Sequence, residues 1–458
     1  MSKPDDEDAS VPKAAQALVS IPAGSLKRGL KLGAALLGAV GRAAGRRLIG
    51  DEADGGGESL AATLGKMKGV SMKLGQMLSY VDLQTPDGWR SSLSRLQQRS
   101  APMQHEIVSR IVEQDLGHAP EVLFAAWERE PLAAASIGQV HQARLQDGTE
   151  VATKIRYPAI DRIVLDDLQN VQLMRHLFGM MAPKLDSEAL MAELRERFLE
   201  ECDYRQEAAN QRDFREFFLS EPGVIVPKVH AAQCAERVLT MDLIRGRSFH
   251  DFASTASQAE RDRAATTIHN FAFKSIFGLG ALNCDPHPGN YLFTAEGVAF
   301  LDFGCVRRFS PELVRVWRSM VRSALERDQP RFREAVVQIG LADAGTRFDF
   351  DAHYRQYLYL IRPWLTGEAV SLTPQFVSQT YRALLVANPN RAQLRMPREL
   401  LFANRLQWGL YSVLAQLRPN LSLREPMLDI LYERGERRPA PFTDSELERY
   451  QVLPGHSG

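Results

Sequence analysis

Two short stretches in the second half of the chain decide the fold: residues 285–290, which read DPHPGN, and residues 302–304, which read DFG. The first places a carboxylate and an amide on a loop shaped by two prolines and a glycine. Short strand patterns at 291–293 and 298–301 lie between the two stretches. Phosphoryl transfer from a nucleotide uses this set, because one Asp positions the acceptor while an Asn and a second Asp hold Mg²⁺ against the phosphates. The candidate catalytic residue and metal ligands are, in that order, Asp285, Asn290 and Asp302.

A strand pattern upstream supplies a cation for the phosphates. Lys154 ends the pattern VATK at 151–154, which follows the turn QDGT at 146–149, and an Asp-Gly pair favours a β-hairpin. A lysine at this place reaches the α and β phosphates, and a helical Glu is then required to hold its ammonium. A later strand pattern at 237–243 resembles the last strand of a small lobe, which runs into a hinge whose backbone pairs with adenine. The candidate hinge residues are Met241 and Leu243.

An alanine-rich segment at 133–141, AAASIGQVH, stands where a protein kinase has its glycine-rich loop. This segment, with KLGQ at 73–76 and ECDY at 201–204, resembles the UbiB/AarF family of atypical kinases over about residues 59–313. The resemblance implies an α+β, two-lobed protein-kinase-like fold with an N-terminal helical extension and a helix-rich C-terminal lobe. Alanines add methyl groups where glycines would let the loop close over phosphates, so we expect altered nucleotide binding.

The resemblance assigns a role to each motif residue. Lys154 anchors the phosphates of ATP or ADP, Glu207 is its ion-pair partner on a helix, and Asp285 holds the catalytic position. The residues implied in nucleotide and Mg²⁺ binding are Ala135, Ser136, Gly138, Lys154, Met241, Leu243, Asn290 and Asp302. The residues implied in regulation, on a helix that covers the acceptor cleft and on its partner segment, are Lys73, Gln76, Glu201 and Asp203. For these four, a surface salt bridge between two helices remains the alternative.

Two features differ from an ordinary protein kinase. Residues 283–284, NC, precede Asp285 in place of His-Arg, so the arginine that reads an activation-loop phosphate is missing. Only residues 305–309 separate the DFG stretch from SP at 310–311, which is typical of a helix start with Ser as the cap and Pro in the first turn. So short a segment cannot dock a peptide, which disfavours a protein kinase.

Composition excludes several classes of protein. Hydrophobic residues make up 45% and charged residues 24% of the 458 residues, as in a folded globular protein. The 56 Lys and Arg balance the 56 Asp and Glu, so nucleic acid is not an expected partner. The four cysteines lack a Cys-x-x-Cys pattern, which predicts neither a disulfide framework nor a zinc site and favours a reducing compartment. His141 and His287 likewise lack partners at metal-ligand spacing.

The chain divides into five predicted segments: a basic leader at 1–58, a helical extension at 59–122, a kinase-like N-lobe at 123–243, a helical C-lobe at 244–437 and a loose tail at 438–458. Strands are also expected at 140–145, 150–155 and 228–232, and a helix at 104–116. Residues 9–50 hold seven basic and no acidic residues. Two interpretations stay open for them: a basic amphipathic helix on an anionic membrane, or a solvated, disordered leader.

The expected function is Mg²⁺-dependent binding of ATP, with hydrolysis or phosphoryl transfer to a small or lipid-like acceptor. The resemblance implies a role in isoprenoid quinone (ubiquinone) biosynthesis at a membrane surface, with quinone-biosynthesis proteins as partners. No apolar stretch reaches the roughly 18 residues of a membrane span, so we expect a cytoplasmic protein, at most peripheral on the inner membrane face. The alternative is a nucleotide-gated binding protein, or pseudokinase, which switches affinity for a lipid or protein complex without transferring phosphate.

Overall fold

The structure is a computed structural model that describes residues 102–135, 137–158, 202–343, 347–381, 388–390, 393–395, 397 and 409–450. The predicted basic leader and most of the predicted helical extension lie outside these residues. The same is true of four predicted site residues: Lys73, Gln76, Ser136 and Glu201.

Short strands and longer helices make up the described part of the chain. The strands are β1 (Ala126–Trp127), β2 (Ala133–Ala134), β3 (Gly138–Arg144), β4 (Glu150–Arg156), β5 (Val224–Ile225), β6 (Val238–Asp242), β7 (Arg247–Ser248), β8 (Ala281–Asn283), β9 (Tyr291–Phe293), β10 (Val298–Phe300), β11 (Val306–Arg308), β12 (Val370–Ser371) and β13 (Asn420–Leu421). The α-helices are α1 (His105–Leu116), α2 (Pro120–Leu123), α3 (Tyr204–Phe218), α4 (Phe249–Thr255), α5 (Gln258–Lys274), α6 (Pro311–Glu326), α7 (Gln329–Gln338), α8 (Phe350–Leu360), α9 (Pro374–Tyr381), α10 (Arg424–Leu431) and α11 (Asp444–Arg449).

A five-stranded antiparallel sheet forms the small lobe, in the order β1-β3-β4-β6, with β2 paired to the other part of β3. The expected hairpin joins β3 to β4. Its turn uses Gly148 at φ 90°, a left-handed conformation that favours glycine, and the Thr149 amide donates to Asp147 Oδ1 at 2.9 Å. The register places Lys154 between Val140 of β3 and Leu239 of β6, on an interior strand.

Helix α1 packs against this sheet. Its buried residues Val108, Ile111 and Val112 follow helical spacing and join Ile155 and Val238 in one apolar cluster. The helix ends at Gly117, whose φ of 82° is a left-handed cap. The helix expected at 104–116 is therefore confirmed, but it belongs to the core of the small lobe, although the sequence analysis placed it in the extension.

The large lobe carries both acidic motifs at the ends of short strands. One sheet has the order β5-β10-β9-β7, and β8 pairs with β11. The DPHPGN stretch connects β8 to β9, and the DFG stretch connects β10 to β11. Helix α6 begins at Pro311 after the cap Ser310, whose hydroxyl accepts from the Leu313 amide. The predicted hairpin and helix start are both present.

Two local predictions are wrong. The strand expected at 228–232 is reduced to a bridge between Val229 and Met241, because the chain turns into a 3₁₀-helix at Ala231–Gln233. The loose end expected from residue 438 is ordered through residue 450. Helix α11 buries Leu447, and Arg327 covers the Phe442 ring at 3.9 Å. These apolar and cation–π contacts fix a segment whose proline content indicated a loop.

No helix in the described ranges is long and apolar enough to cross a membrane.

Candidate nucleotide site

Lys154 and Glu207 form a buried ion pair between the sheet and helix α3. The Lys154 Nζ donates to Glu207 Oε1 at 2.6 Å, and the two side chains are only 10% and 6% exposed. Glu207 lies in the first turn of α3, which begins after Asp203. The Asp203 carboxylate caps this helix by accepting from the Arg205 amide at 3.0 Å. The structure thus brings together the lysine and the glutamate that the resemblance implies.

Asp302 lies on the other side of the same ammonium. Lys154 Nζ is 3.4 Å from Asp302 Oδ2 and donates to the Leu301 carbonyl at 3.2 Å. Burial alone lowers the pKa of Lys154, but the carboxylates of Asp302 and Glu207 outweigh it and hold the pKa above its usual value. The lysine is therefore a permanent cation at neutral pH. Burial raises the pKa of Glu207, and the ammonium acts against this rise.

Helix α3 holds the DFG segment through the backbone amide and the backbone carbonyl of Phe303. The Phe303 amide donates to Glu207 Oε1 at 3.4 Å, and Asn210 Nδ2 donates to the Phe303 carbonyl at 3.1 Å. The Gly304 amide donates to Asp302 Oδ1 at 3.0 Å. The Phe303 ring is fully buried. The position of Asp302 therefore depends on the position of α3.

A second link joins α3 to strand β11. Arg308 forms an ion pair with Asp213, and its Nη2 is 3.5 Å from Asn210 Oδ1. Asn210 follows the ECDY motif and Glu207 in the part of the sequence that carries the family resemblance, whereas Asp213 and Arg308 were not predicted as site residues. Their signal is the spacing of Glu207, Asn210 and Asp213, three residues apart, which places them on neighbouring parts of one helix face.

A side-chain amide holds the DPHPGN loop in shape. Asn290 Nδ2 donates to the Asp285 carbonyl at 3.0 Å and to Asp285 Oδ2 at 3.1 Å. Asn283, which stands in the place of the kinase His-Arg pair, also connects the two motifs, and this role was not predicted. Its Oδ1 accepts from the Asp285 amide at 3.2 Å, and its Nδ2 donates to the Asp302 carbonyl at 2.6 Å. The structure therefore brings Asp285, Asn290 and Asp302 into one hydrogen-bonded unit.

The oxygen atoms of this unit fit Mg²⁺. Asn290 uses its amide nitrogen on Asp285, so its side-chain oxygen is directed elsewhere. The Asp302 side chain is 30% exposed, although Lys154 and Gly304 contact it. Carboxylate and amide oxygens are hard ligands, and Mg²⁺ is commonly held by one or two of them together with substrate phosphates. Within the described residues no group of three or more His, Cys, Asp or Glu side chains is arranged to hold a metal.

The alanine-rich segment forms a tight hairpin. Ala133 and Ala134 pair with β3, and the Ala135 amide donates to the Gly138 carbonyl at 2.9 Å. A Cβ atom at Gly138 would lie 2.2 Å from the Ile155 carbonyl oxygen, so this position requires glycine for the close approach of two strands. Gly138 therefore has a structural reason besides the implied nucleotide contact.

The predicted hinge residues are largely engaged inside the protein. Met241 is 3% exposed, and its sulfur is 3.6 Å from Gln211 Nε2 on α3. The Leu243 amide donates to the Glu150 carbonyl at 3.1 Å. A backbone contact from Leu243 to adenine would therefore use its carbonyl oxygen, since the amide is part of the sheet.

The two histidines beside the motifs make local hydrogen bonds. His141 is buried, is 2.8 Å from both Gln139 Nε2 and the Glu128 carbonyl, and stacks on the Trp127 ring. His287 Nδ1 accepts from the Gly289 amide at 3.0 Å. Packing and turn formation account for both, in agreement with the sequence analysis.

A sheet lobe that presents a paired lysine to an acidic loop on a helical lobe is the architecture of the protein kinases. A family model, the ABC1 atypical kinase-like domain, matches residues 95–336, and the chain belongs to this family. The predicted resemblance to atypical kinases and the predicted two-lobed fold are both confirmed.

Relatives support the same assignment. The chain is 30% identical to "Atypical kinase COQ8B, mitochondrial" of Rattus norvegicus, over 81% of this chain and 71% of the relative. It is 27% identical to "Atypical kinase COQ8, mitochondrial" of Saccharomyces cerevisiae, over 77% of this chain and 71% of the relative. The solved complex of Rv3197 with erythromycin from Mycobacterium tuberculosis has a TM-score of 0.63 and 27% identity, and the match covers 82% of this chain and 95% of that chain.

Proposed function

We propose that the chain binds ATP with Mg²⁺ between the two lobes and hydrolyses it or transfers its γ-phosphoryl group to a small or lipid-like acceptor. The observation that supports this most strongly is the contact of Lys154 with both Glu207 and Asp302, beside the linked Asp285 and Asn290. A fixed cation and a set of hard oxygen ligands are the two requirements for holding a nucleotide triphosphate.

Each residue has a defined part in the proposed reaction. Lys154 would bind the α and β phosphates, and Glu207 keeps its ammonium in place. Asn290 and Asp302 would hold Mg²⁺, which neutralises charge on the phosphates when bound. Asp285 would accept a hydrogen bond from the acceptor hydroxyl or water and take its proton as the new P–O bond forms.

The segment after DFG supports a small or lipid-like acceptor. Strand β11 begins two residues after Gly304 and pairs with β8, and α6 begins at Pro311. An extended segment for docking a peptide does not fit between them. The resemblance to UbiB/AarF proteins gives the biological setting: isoprenoid quinone biosynthesis, with quinone-biosynthesis proteins as partners.

We propose a peripheral membrane attachment for the basic leader. Residues 9–50 carry seven basic and no acidic residues, and each basic residue near an anionic surface contributes about 1 kcal/mol of binding. A cytoplasmic protein held in this way would meet lipid acceptors at the inner membrane face.

We also propose that Lys73 and Gln76, with Glu201 and Asp203, regulate access to the acceptor cleft, as the resemblance implies. In the described part of the chain, Asp203 acts as the N-cap of α3. A change in its partners would therefore reach Glu207 through the first turn of that helix.

A nucleotide-gated switch is the second candidate function. The Ala135–Gly138 hydrogen bond closes the hairpin that replaces a flexible glycine-rich loop. A stiff loop favours steady nucleotide binding over rapid closure and release. In this case the same cleft would hold ATP or ADP and change affinity for a lipid or a protein complex.

Steady-state phosphate release from the full chain separates the two candidates. The assay compares anionic vesicles that carry a quinone-precursor lipid, the same vesicles without it, and neutral vesicles, each with Mg²⁺–ATP. Turnover that rises with the precursor on anionic vesicles supports the enzyme. Tight nucleotide binding with no turnover under any of these conditions contradicts the enzyme and supports the switch.

A further inference from the structure

Two cysteines lie where the two acidic motifs meet. Cys284 lies between the last residue of β8 and Asp285, and Cys305 lies between Gly304 and the first residue of β11. Both side chains are partly exposed, and both are thiols in this structure. The proposed function uses neither of them.

The strand register places these cysteines opposite each other. Asn283 of β8 pairs with Val306 of β11 in antiparallel orientation, so the next pair is Cys284 with Cys305. The Cys284 amide donates to the Cys305 carbonyl at 2.8 Å, which marks a hydrogen-bonded pair. The Cα atoms of such a pair are about 5.5 Å apart, within the range of about 4.4–6.8 Å found in disulfides.

The backbone places both side chains on one side of the paired segments. Directly opposed residues of an antiparallel pair extend to the same face of the sheet. Cys284 Sγ lies 3.6 Å from the Leu282 carbonyl, a weak contact that a side-chain rotation breaks easily. The other two cysteines are arranged differently: Cys202 is buried, and Cys234 Sγ accepts from the Thr240 amide at 3.3 Å.

We propose that Cys284 and Cys305 form a reversible disulfide that ties the DPHPGN loop to the DFG segment. The two thiols lose two protons and two electrons as the S–S bond forms. A small-molecule disulfide such as oxidised glutathione takes up the electrons and protons and is reduced to two thiols. An excess of thiol reverses the reaction, so the pair responds to the redox state of a compartment that is normally reducing.

The expected consequence rests on the proposed function. A disulfide across a hydrogen-bonded pair changes the local twist of β8 and β11, and Asp285 follows Cys284 without an intervening residue. A displacement of about 1 Å in a catalytic group can lower turnover about 100-fold. Nucleotide binding depends on Lys154 of the small lobe as well, so we expect the oxidised protein to keep most of its affinity.

Peptide mapping of the full chain tests the disulfide itself. The protein is equilibrated with mixtures of reduced and oxidised glutathione, alkylated and cut after glutamate without reduction. Glu296 lies between the two cysteines, so this cut separates them unless a disulfide joins the fragments. We expect joined fragments that disappear on addition of thiol. Cys305→Ser must abolish them, and the matched control Cys234→Ser must leave them unchanged.

Phosphate release measured on the same samples tests the consequence. We expect oxidation to lower turnover at least about tenfold in the wild type and in Cys234→Ser, and to leave Cys305→Ser unaffected. Absence of the joined fragments at every glutathione ratio, or glutathione attached to either cysteine in their place, overturns the proposal. If the fragments join but no condition gives turnover, the disulfide stands and the proposed enzyme function fails.

Discussion

Lys154 illustrates how a buried charge is stabilised at this site. Its ammonium contacts two carboxylates and one carbonyl, so all three of its donors have an acceptor. A buried ion pair adds little to stability when compared with apolar residues, but removal of one partner is costly because the other charge stays buried. The pair therefore serves to position the ammonium.

We expect Glu207→Ala to lower the free energy of unfolding by about 3 kcal/mol, because the buried Lys154 then keeps only the more distant Asp302 as a charged partner. Chemical denaturation followed by circular dichroism measures this change. Glu216→Ala on the exposed side of the same helix is the control and should change stability by less than about 0.5 kcal/mol. Equal effects of the two variants would show that the ion pair is not important for stability.

His269 makes the large lobe sensitive to acid. Its Nε2 accepts from Trp364 Nε1 at 3.1 Å, which requires a neutral ring. Burial lowers its pKa to about 4, and the contact with Asn270 opposes the shift only partly. Between pH 6.5 and pH 4 the unfolded chain therefore binds a proton that the folded chain does not. The stability that the neutral His269 ring contributes is complete above pH 6.5 and is lost as the pH falls toward 4.

The urea concentration at the midpoint of unfolding should therefore decrease as the pH is lowered from 7 to 5. The decrease should be smaller in His269→Gln. A lowered pKa of about 4 for the buried His353 adds to the effect in the wild type. His250→Gln on an exposed turn of α4 is the control and should keep the wild-type dependence. A midpoint that is independent of pH in the wild type would contradict the assignment of His269 as a neutral, buried ring.

At the scale of elements, helix α3 connects the two lobes. Glu207 pairs with the lysine of the small lobe, while Phe214 belongs to the large apolar core and lies 5.1 Å from the Phe303 ring. A shift of α3 would therefore disturb the phosphate anchor and the DFG segment together. These contacts make α3 the structural link between Lys154 and the DFG segment.

Gly138 lies where strands β3 and β4 approach each other closely. The added methyl group of Gly138→Ala would lie 2.2 Å from the Ile155 carbonyl oxygen and 3.0 Å from the Tyr204 hydroxyl. We expect a loss of about 2–3 kcal/mol in the free energy of unfolding, since β3 and β4 must separate. Thermal denaturation measures the loss. Gly367→Ala, where nothing lies within 4 Å, should be close to neutral, and a neutral Gly138→Ala would refute the close approach.

The sequence predicts these elements unevenly, for physical reasons. The β3–β4 hairpin and the start of α6 carry local signals, an Asp-Gly turn and a Ser-Pro cap, and both are found. The bridge at Val229 and the ordered tail depend on contacts far along the chain, such as Arg327 with Phe442. A local sequence pattern does not indicate which distant residues will be in contact.

The candidate site, too, is predicted from the sequence only in part. Its motif residues are recognisable from their order along the chain, but the contacts that connect the motifs are not. Asn283 and Asn210 hold the acidic segments by hydrogen bonds to backbone carbonyls. The helical spacing of Asn210 from Glu207 is visible in the sequence, but the distant backbone group that each asparagine binds is not, so only the folded structure shows these contacts.

At the scale of the whole molecule, the site is shared between two separate cores. Val108 and Ile155 belong to a cluster in the small lobe, while the helices of the large lobe pack around their own cluster. A ligand that contacts Lys154 on one lobe and Asn290 on the other would join them. Binding of nucleotide with Mg²⁺ is therefore expected to raise the unfolding temperature of the full chain.

In the proposed function, Asp302 holds the metal and Asp285 performs the transfer. Titration calorimetry with ATP, with and without Mg²⁺, combined with phosphate release, tests it most directly on the wild type, Asp302→Asn and Asp285→Asn. We expect Asp302→Asn to lose the Mg²⁺-dependent part of its affinity, about tenfold or more. Asp285→Asn should keep its affinity within about threefold while turnover falls at least about 100-fold. Unchanged Mg²⁺ dependence in Asp302→Asn, or unchanged turnover in Asp285→Asn, would contradict the claim.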